Sequence, residues 1–490
     1  MTAAASACPW PDHADTPDPA IRTTVAAGRG DIFRLTRFPL ATMRGGPDRR
    51  IPGPRGLPLL GVVPQLIRDP FTYLHDATKK FGDVVRIPVP MYDFVIVNHP
   101  DLVKQIFHDR SGTWGMPTYP QFLRNKTGIG LPGLEGAEYT ERRGLYTSMF
   151  GKRYLATLAD EFVDEMTSRL DVWDRFAASG QEIDLEHEIG MILLPAFLRN
   201  MFSITPSDEE LAVYDRDLRE ILASAASATW TRRPPNILPI PGVQNFPGAL
   251  FRTIKNVAGI LDQRKASSNP RKDLLQSIVD ARLKDGSPLD RKDMIFDSIG
   301  IIVAGYDTVT AVLSWMFSLL PTNPSAQQRL YDEVDALGGA TPTADHLPEL
   351  SWAKQCFDEA QRLQGHPFNP RMAKVDGDLA GFHIPKNTMV GACMTALHRD
   401  PRWWTNPETF DPTHFDKDQV TTRPNTAFIP FGTGTHQCVG MAMAYQNGQL
   451  LAALILQRYR IHLRPGWTPR HQATQSVTIK GGVPATITRR

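Results

Sequence analysis

The chain has 490 residues, 41% of them hydrophobic, with 54 Lys and Arg against 52 Asp and Glu and a formal net charge of +2. This is ample apolar material for a large core, and so even a charge gives no electrostatic case for nucleic-acid binding. The four cysteines, Cys8, Cys356, Cys393 and Cys438, have neither disulfide nor zinc spacing, which points to a reducing compartment.

Residues 1–50 are rich in Ala, Pro, Arg and Gly and predict a poorly ordered N-terminal segment. Residues 1–20 lack the basic and apolar runs of a secretory leader, so a cytoplasmic protein is expected. Further on, Ile32, Phe33, Leu35 and Phe38 alternate with Arg34 and Arg37. That mixture suits either a tail packed on the body or a peripheral membrane contact. Residues 51–61 form a stiff Pro/Gly entry segment. Helical spacing over 71–81 and 101–107 flanks two strands at 83–88 and 93–98. Residues 111–135 then read as a long loop carrying Trp114, Tyr119 and Phe122. Loops of this length inside a compact domain are usually functional.

Helical pattern resumes over 138–155, with Tyr139 and Arg143 one turn apart on a common face. Residues 156–285 are mainly helical, interrupted by the proline-rich stretch 229–246, which cannot be one regular helix. Its apolar residues either line a pocket mouth or pack as an ordinary loop. Residues 288–320 predict a long central helix, started near Asp290 or Asp293 and ended by Pro321. The apolar run 295–320 is long enough to span a bilayer. Asp297 and Asp307 inside it are costly in hydrocarbon, so a buried core helix is predicted.

Within that helix, Ala304 and Thr308 share a face, and the Thr308 hydroxyl can bond back to the Ala304 carbonyl and bend the helix. Glycine in a helix interior costs ~1 kcal/mol against alanine, so Gly305 calls for a reason; a groove for a diatomic ligand supplies one. Asp307 is an acid able to relay protons. Helices follow at 325–337 and 352–363, the second pairing Glu359 with Arg362 at i, i+3. Hairpins are expected around 376–377 and 384–385, a loop-rich stretch over 398–412, and paired strands over 476–487 turning at Gly481 and Gly482.

The stretch 431–440, FGTGTHQCVG, places Cys438 in a glycine-rich turn before a long apolar helix. A free cysteine is usually a small buried hydrophobe. Here the glycines allow a tight turn and close approach of backbone to a flat ligand, and turn amides aimed at a sulfur tune a ligating thiolate. The dipole of the following helix also favours negative sulfur.

Phe431, Gly432, Gly434, His436, Cys438 and Gly440 together resemble the haem-binding signature of the cytochrome P-450 family, with His436 in place of the commoner arginine. Residues 304–308, AGYDT, resemble its oxygen-activation motif. The resemblance extends over 51–490 and implies a mainly α fold with small β-sheets, one triangular domain around a long central helix. It implies haem b with its iron on Cys438, and a monooxygenase that inserts one atom of O2 into an apolar lipid, terpenoid or steroid-like substrate. Thiolate ligation favours O–O cleavage. Thr308 and Asp307 would deliver protons, with Ala304 and Gly305 bordering the oxygen site. Arg143, Arg371 and His436, with Tyr139, would meet the haem propionates, and Phe431, Gly432 and Gly440 would lie close to the porphyrin. Phe368 and Val477 would approach the substrate side. Electrons would come from a separate ferredoxin, flavodoxin or reductase, steered to the cysteine side by Arg142, Arg143 and His436. Glu359 and Arg362 would form a buried structural pair. His414 stands where the family places an arginine, which predicts a weaker, pH-sensitive lock. The alternative is a haem-thiolate peroxygenase, dehydratase or isomerase; such enzymes often lose the acid and alcohol pair kept here.

Overall fold

Helices build most of the body and small sheets bracket it in the computed structural model, which describes residues 20–23, 50–58, 60–89, 92–117, 130–231, 245–269, 271–472 and 477–490. In chain order the strands are β1 (Val84–Val89), β2 (Tyr92–Val97), β3 (Trp114–Gly115), β4 (Ile183–Asp184) and β5 (Asn369–Ala373), then β6 (Gly377–Leu379), β7 (Phe382–Ile384), β8 (Met389–Ala392), β9 (Tyr459–Leu463) and β10 (Pro484–Arg489). They form a five-stranded sheet ordered β1-β2-β8-β5-β3, a three-stranded sheet β4-β10-β9 and the hairpin β6-β7.

The central helix, Arg291–Leu319, begins at Asp290, whose side chain accepts from the Lys292 amide. It ends in a short turn of tighter helix containing Pro321. It packs against the helices Leu185–Phe202, Phe246–Ala266, Ser351–Gln364 and Met441–Arg458. A helix enclosed on several sides needs apolar residues around most of its circumference rather than one stripe. Its polar residues are reconciled with burial locally: the hydroxyls of Ser298, Thr310, Ser314 and Ser318 each donate to the carbonyl four residues earlier. The helix is long and apolar enough to cross a membrane, but most of its apolar window is buried in the fold.

Several expectations are corrected. The N-terminal segment is not wholly unanchored: Ala20–Thr23 docks on the body. The Arg22 amide and guanidinium both donate to Asp83, at 2.7 and 2.9 Å, and the guanidinium also reaches Asp400 at 3.1 Å. Helix 138–155 is two helices, Gly136–Thr147 and Lys152–Leu170, because Gly151 between them is extended. Trp114 is a strand residue, buried and paired with Ala373, rather than part of a free loop. Tyr119, Phe122 and most of 229–246 lie outside the described residues. The tight hairpin turn is at Ala380 and Gly381, both at positive φ, with β6-β7 set between β5 and β8. Gly481 and Gly482 do turn the chain, but β10 pairs with β9 and β4 and not with the residues just before it.

Candidate functional site

The cysteine loop is built on its glycines. Gly432 and Gly434 have φ of +67° and +73°, and a Cβ on Gly434 would sit 2.0 Å from the Phe107 carbonyl oxygen. No side chain fits there, so the loop lies directly against the end of helix Pro100–Phe107. The Cys438 amide donates to the Phe431 carbonyl at 2.9 Å, closing the turn. Helix Met441–Arg458 starts directly after it, with Gly440 as N-cap. The Cys438 side chain is exposed. Surrounding protein still pushes its thiol above the ordinary range, opposed by the Gly440 amide and the Arg143 charge.

Helix Gly136–Thr147 and β5 bring side chains to this loop. Tyr139 and Arg143 come from helix Gly136–Thr147. Tyr139 donates to the Thr435 carbonyl at 3.2 Å and stacks on His436 with ring centroids 3.9 Å apart. Arg143 Nη1 donates to the Tyr139 hydroxyl and the Gln437 carbonyl, each at 2.6 Å. Arg371 comes from β5 and is buried. It donates to the Asn369 side chain and the Pro370 carbonyl and lies 4.1 Å over the Phe107 ring. Burial pulls its guanidinium down to about 10. Burial, then Arg371, pull His436 down to about 4; Glu135 opposes this, and Arg143 and Lys374 add to it. Among these protein groups alone, burial and the neighbouring basic residues disfavour the charged ring, which stacks on Tyr139.

This arrangement fits a haem. Arg371 is a buried cation with no carboxylate at ion-pair distance among the described residues, helped electrostatically by Glu135 but still pulled down by burial, and buried charge needs a counter-charge. On the central helix, an accessible stripe runs through Gly300, Ala304, Thr308 and Val312, in a helix otherwise largely buried. The predicted Thr308 bond is present: Oγ1 donates to the Ala304 carbonyl at 2.8 Å.

The neighbouring residues depart from expectation. A Cβ on Gly305 would meet the Phe197 ring at 2.3 Å. Gly305 is therefore required by close packing of helix Leu185–Phe202, whose Phe197 ring occupies the place a Cβ would take. Asp307 is buried, and it influences Tyr306, Arg219 and Glu186. It thus lies on the inner side of the helix, while Thr308 lies on the accessible side. Arg142 is not a surface residue for steering a partner: it is buried, with Nε 2.8 Å from Asp297 and Nη1 2.9 Å from Asp293. Phe368 is buried with its ring against Phe94, and the Val477 carbonyl accepts from Trp315 Nε1 of the central helix.

Glu359 and Arg362 are fully enclosed. Arg362 binds both Glu359 oxygens at 2.7 Å and three carbonyls, of His398, Pro407 and Thr409. Burial pushes the Glu359 carboxyl up, but Arg362 and His414 outweigh it and hold it below its usual value. His414 bridges Glu359 at 3.2 Å and the Thr405 carbonyl at 2.6 Å. Sequence reasoning missed Arg423, which donates to the His414 carbonyl, stacks 4.0 Å over Trp404 and feels both Arg362 and Glu359. It brings a second arginine to the network by a nine-residue detour that no local pattern marks.

The family model described as Cytochrome P-450 matches residues 51–485. The chain belongs to the cytochrome P-450 family. This P-450 is 28% identical over 427 residues to cytochrome P-450 132 of Mycobacterium bovis, covering 82% of this chain and 89% of that one. It is 27% identical over 428 residues to cyclooctat-9-en-7-ol 5-monooxygenase of Streptomyces melanosporofaciens, covering 85% of this chain and 90% of the relative. Its fold is similar to the crystal structure of the cytochrome P-450DA heme domain, with a TM-score of 0.79 at 20% identity, covering 90% and 98% of the two chains. It is a haem-dependent monooxygenase whose iron is ligated by the Cys438 thiolate.

Proposed function

We propose that this P-450 oxygenates an apolar, cyclic small molecule of terpenoid type, with electrons from a separate ferredoxin, flavodoxin or reductase, as a cytoplasmic enzyme. The accessible stripe of the central helix carries the reading: Gly300, Ala304, Thr308 and Val312 present small and apolar groups and a single hydroxyl, with no charge. Such a wall suits a hydrocarbon skeleton and offers no anchor for an ionic substrate. The relative named for cyclooctat-9-en-7-ol supports the same class.

Haem, when bound, supplies activation of dioxygen, and thiolate ligation favours O–O cleavage. The chain does the rest. Arg143, Arg371, Tyr139 and His436 would hold the propionates, which would give Arg371 the anion that burial demands. Gly432 and Gly440, without side chains, would let the backbone approach the macrocycle, while Gly434 seats the loop on helix Pro100–Phe107. The Thr308 hydroxyl is held on the Ala304 carbonyl and swings from it to pass a proton at Oγ1. Asp307 replenishes that proton from the inner side of the helix, beside Arg219 and Tyr306.

The test is a panel of cyclic terpenoid alkenols, fatty acids and steroids, read by the substrate-induced spin shift of the haem and by product mass. Terpenoid alkenols should give the largest shift and products with one added oxygen. A preference for long-chain carboxylates would sink the reading. Cys438→Ala should lose the red-shifted carbon monoxide band of thiolate-ligated haem.

A further inference from the structure

Helix Ser351–Gln364 ends at Gly365, where a Cβ would sit 2.5 Å from the Gln361 carbonyl oxygen. The chain therefore leaves the helix by a close turn that admits no side chain. Pro367 follows and restricts the backbone of His366 between them. Its carbonyl accepts from the Met394 amide at 3.1 Å, and Phe368 is buried against Phe94.

The two ends of this rigid segment place it in the fold. At one end Gln364 bonds to the His471 ring, whose centroid lies 5.0 Å from that of Trp315, one turn beyond Val312 on the central helix. At the other end the Asn369 amide nitrogen lies 3.1 Å from the place a Cβ on Gly432 of the cysteine loop would take. His366 thus lies between the accessible stripe of the central helix and the cysteine loop. Protein surrounds it, yet its surface is partly accessible. Cys438 shows the same combination, which marks a side chain that opens onto an internal space rather than bulk solvent.

Neither ring nitrogen of His366 has a hydrogen-bond partner among the described residues. No charged group perturbs it either, whereas His436 feels both Arg371 and Arg143. His366 therefore stands apart from the residues assigned to the propionates. Burial disfavours its charged form, and an uncharged imidazole keeps one N–H donor and one acceptor. A polar group enclosed without a partner is costly. The Thr308 hydroxyl on the facing stripe is already committed to the Ala304 carbonyl at 2.8 Å.

We propose that His366 determines specificity by hydrogen-bonding a hydroxyl already present on the substrate, so that the enzyme takes a cyclic terpenoid alcohol in preference to the parent hydrocarbon. This rests on the terpenoid reading above. A hydroxyl both donates and accepts, and so matches either nitrogen of the ring. The reaction that supplies the substrate is then a hydration or an earlier hydroxylation.

The test uses the haem-loaded enzyme and matched pairs of ligands, cedrol with cedrane and menthol with menthane. Dissociation constants are read from the substrate-induced spin shift, and haem retention from the reduced carbon monoxide band. A neutral hydrogen bond corresponds to about three- to ten-fold in an equilibrium. The native enzyme should bind an alcohol more tightly than its hydrocarbon by about that factor. His366→Phe keeps an aromatic ring and removes both nitrogens; it should erase the preference by weakening the alcohol alone, with haem retained. His366→Gln restores a donor and an acceptor and should recover part of the preference. Equal native affinities within each pair would overturn the proposal whether or not the variants fold, and would leave the terpenoid reading standing. So would a preference that survives in His366→Phe. Loss of haem in both variants would overturn it as well, by placing His366 at the propionates. A spin state moved by neither pair would sink this proposal and the terpenoid reading together.

Discussion

Arg362→Met isolates the buried lock beneath the cysteine loop. Arg362 is 1% exposed and its partner Glu359 0%. The substitution keeps volume and deletes the guanidinium that binds both carboxylate oxygens and three carbonyls. Glu359 would keep only the Asp411 amide at 2.8 Å and His414 at 3.2 Å. Removing one partner of a buried ion pair costs about 3–5 kcal/mol, because the other charge stays buried without its match. Set against a net stability of about 5–15 kcal/mol, that is about a fifth of the total or more, a shift of roughly a hundred- to several-thousand-fold in the unfolding equilibrium. Urea unfolding followed by tryptophan fluorescence, with haem retention as a second probe, reads the loss. The double variant Glu359→Gln with Arg362→Met removes both charges and should recover part of it. A single-variant cost below about 1 kcal/mol, the range of an exposed pair, would refute the argument. So would a double variant no more stable than the single one.

Arg22→Ala should destabilise the sheet edge, since Asp83 and Asp400 are buried and would be left to share Arg402 as their cation among the described residues; a lowered thermal midpoint with normal oxygenation checks this. Gly305→Ala should cost about 1–3 kcal/mol by overpacking against Phe197, and Phe197→Leu in the same chain should relieve it, both read as thermal midpoints. Burial, with small contributions from Asp184 and Asp307 and against Arg219 and the Ile479 amide, raises Glu186 from 4.5 to about 8. The folded chain then holds a proton that the unfolded chain has lost, so this group lowers stability as pH rises between about 4.5 and about 8. Glu186→Gln should flatten that slope, gaining stability relative to the native chain above about pH 8; parallel pH profiles of the urea midpoint would contradict it.

The chemistry at Cys438 was legible in the sequence because it depends on local facts. Glycines at 432, 434 and 440 permit one backbone path, and the Thr308 hydroxyl can reach the Ala304 carbonyl within its own helix turn. The long central helix and its burial followed equally from local pattern, through its caps and the two aspartates in its apolar run. What the sequence did not reveal are contacts between residues far apart in the chain. Gly305 was explained in the sequence by a ligand groove alone, and only the fold shows the Phe197 ring packed where its Cβ would be. Arg142 looked like a surface charge beside Arg143, until Asp293 and Asp297 closed around it from a helix some 150 positions away. Asp307 and Thr308 are adjacent in sequence, yet a helix turns each residue about 100° from the last, so one is buried and the other faces open space. Arg423 and Arg22 complete buried charge clusters from loop positions that carry no periodic signal. Sequence alone therefore determined the reactive group and the family. The tertiary structure decided which charges are buried, what balances them and which face of each helix meets the site, because those depend on partners brought together only when the chain folds.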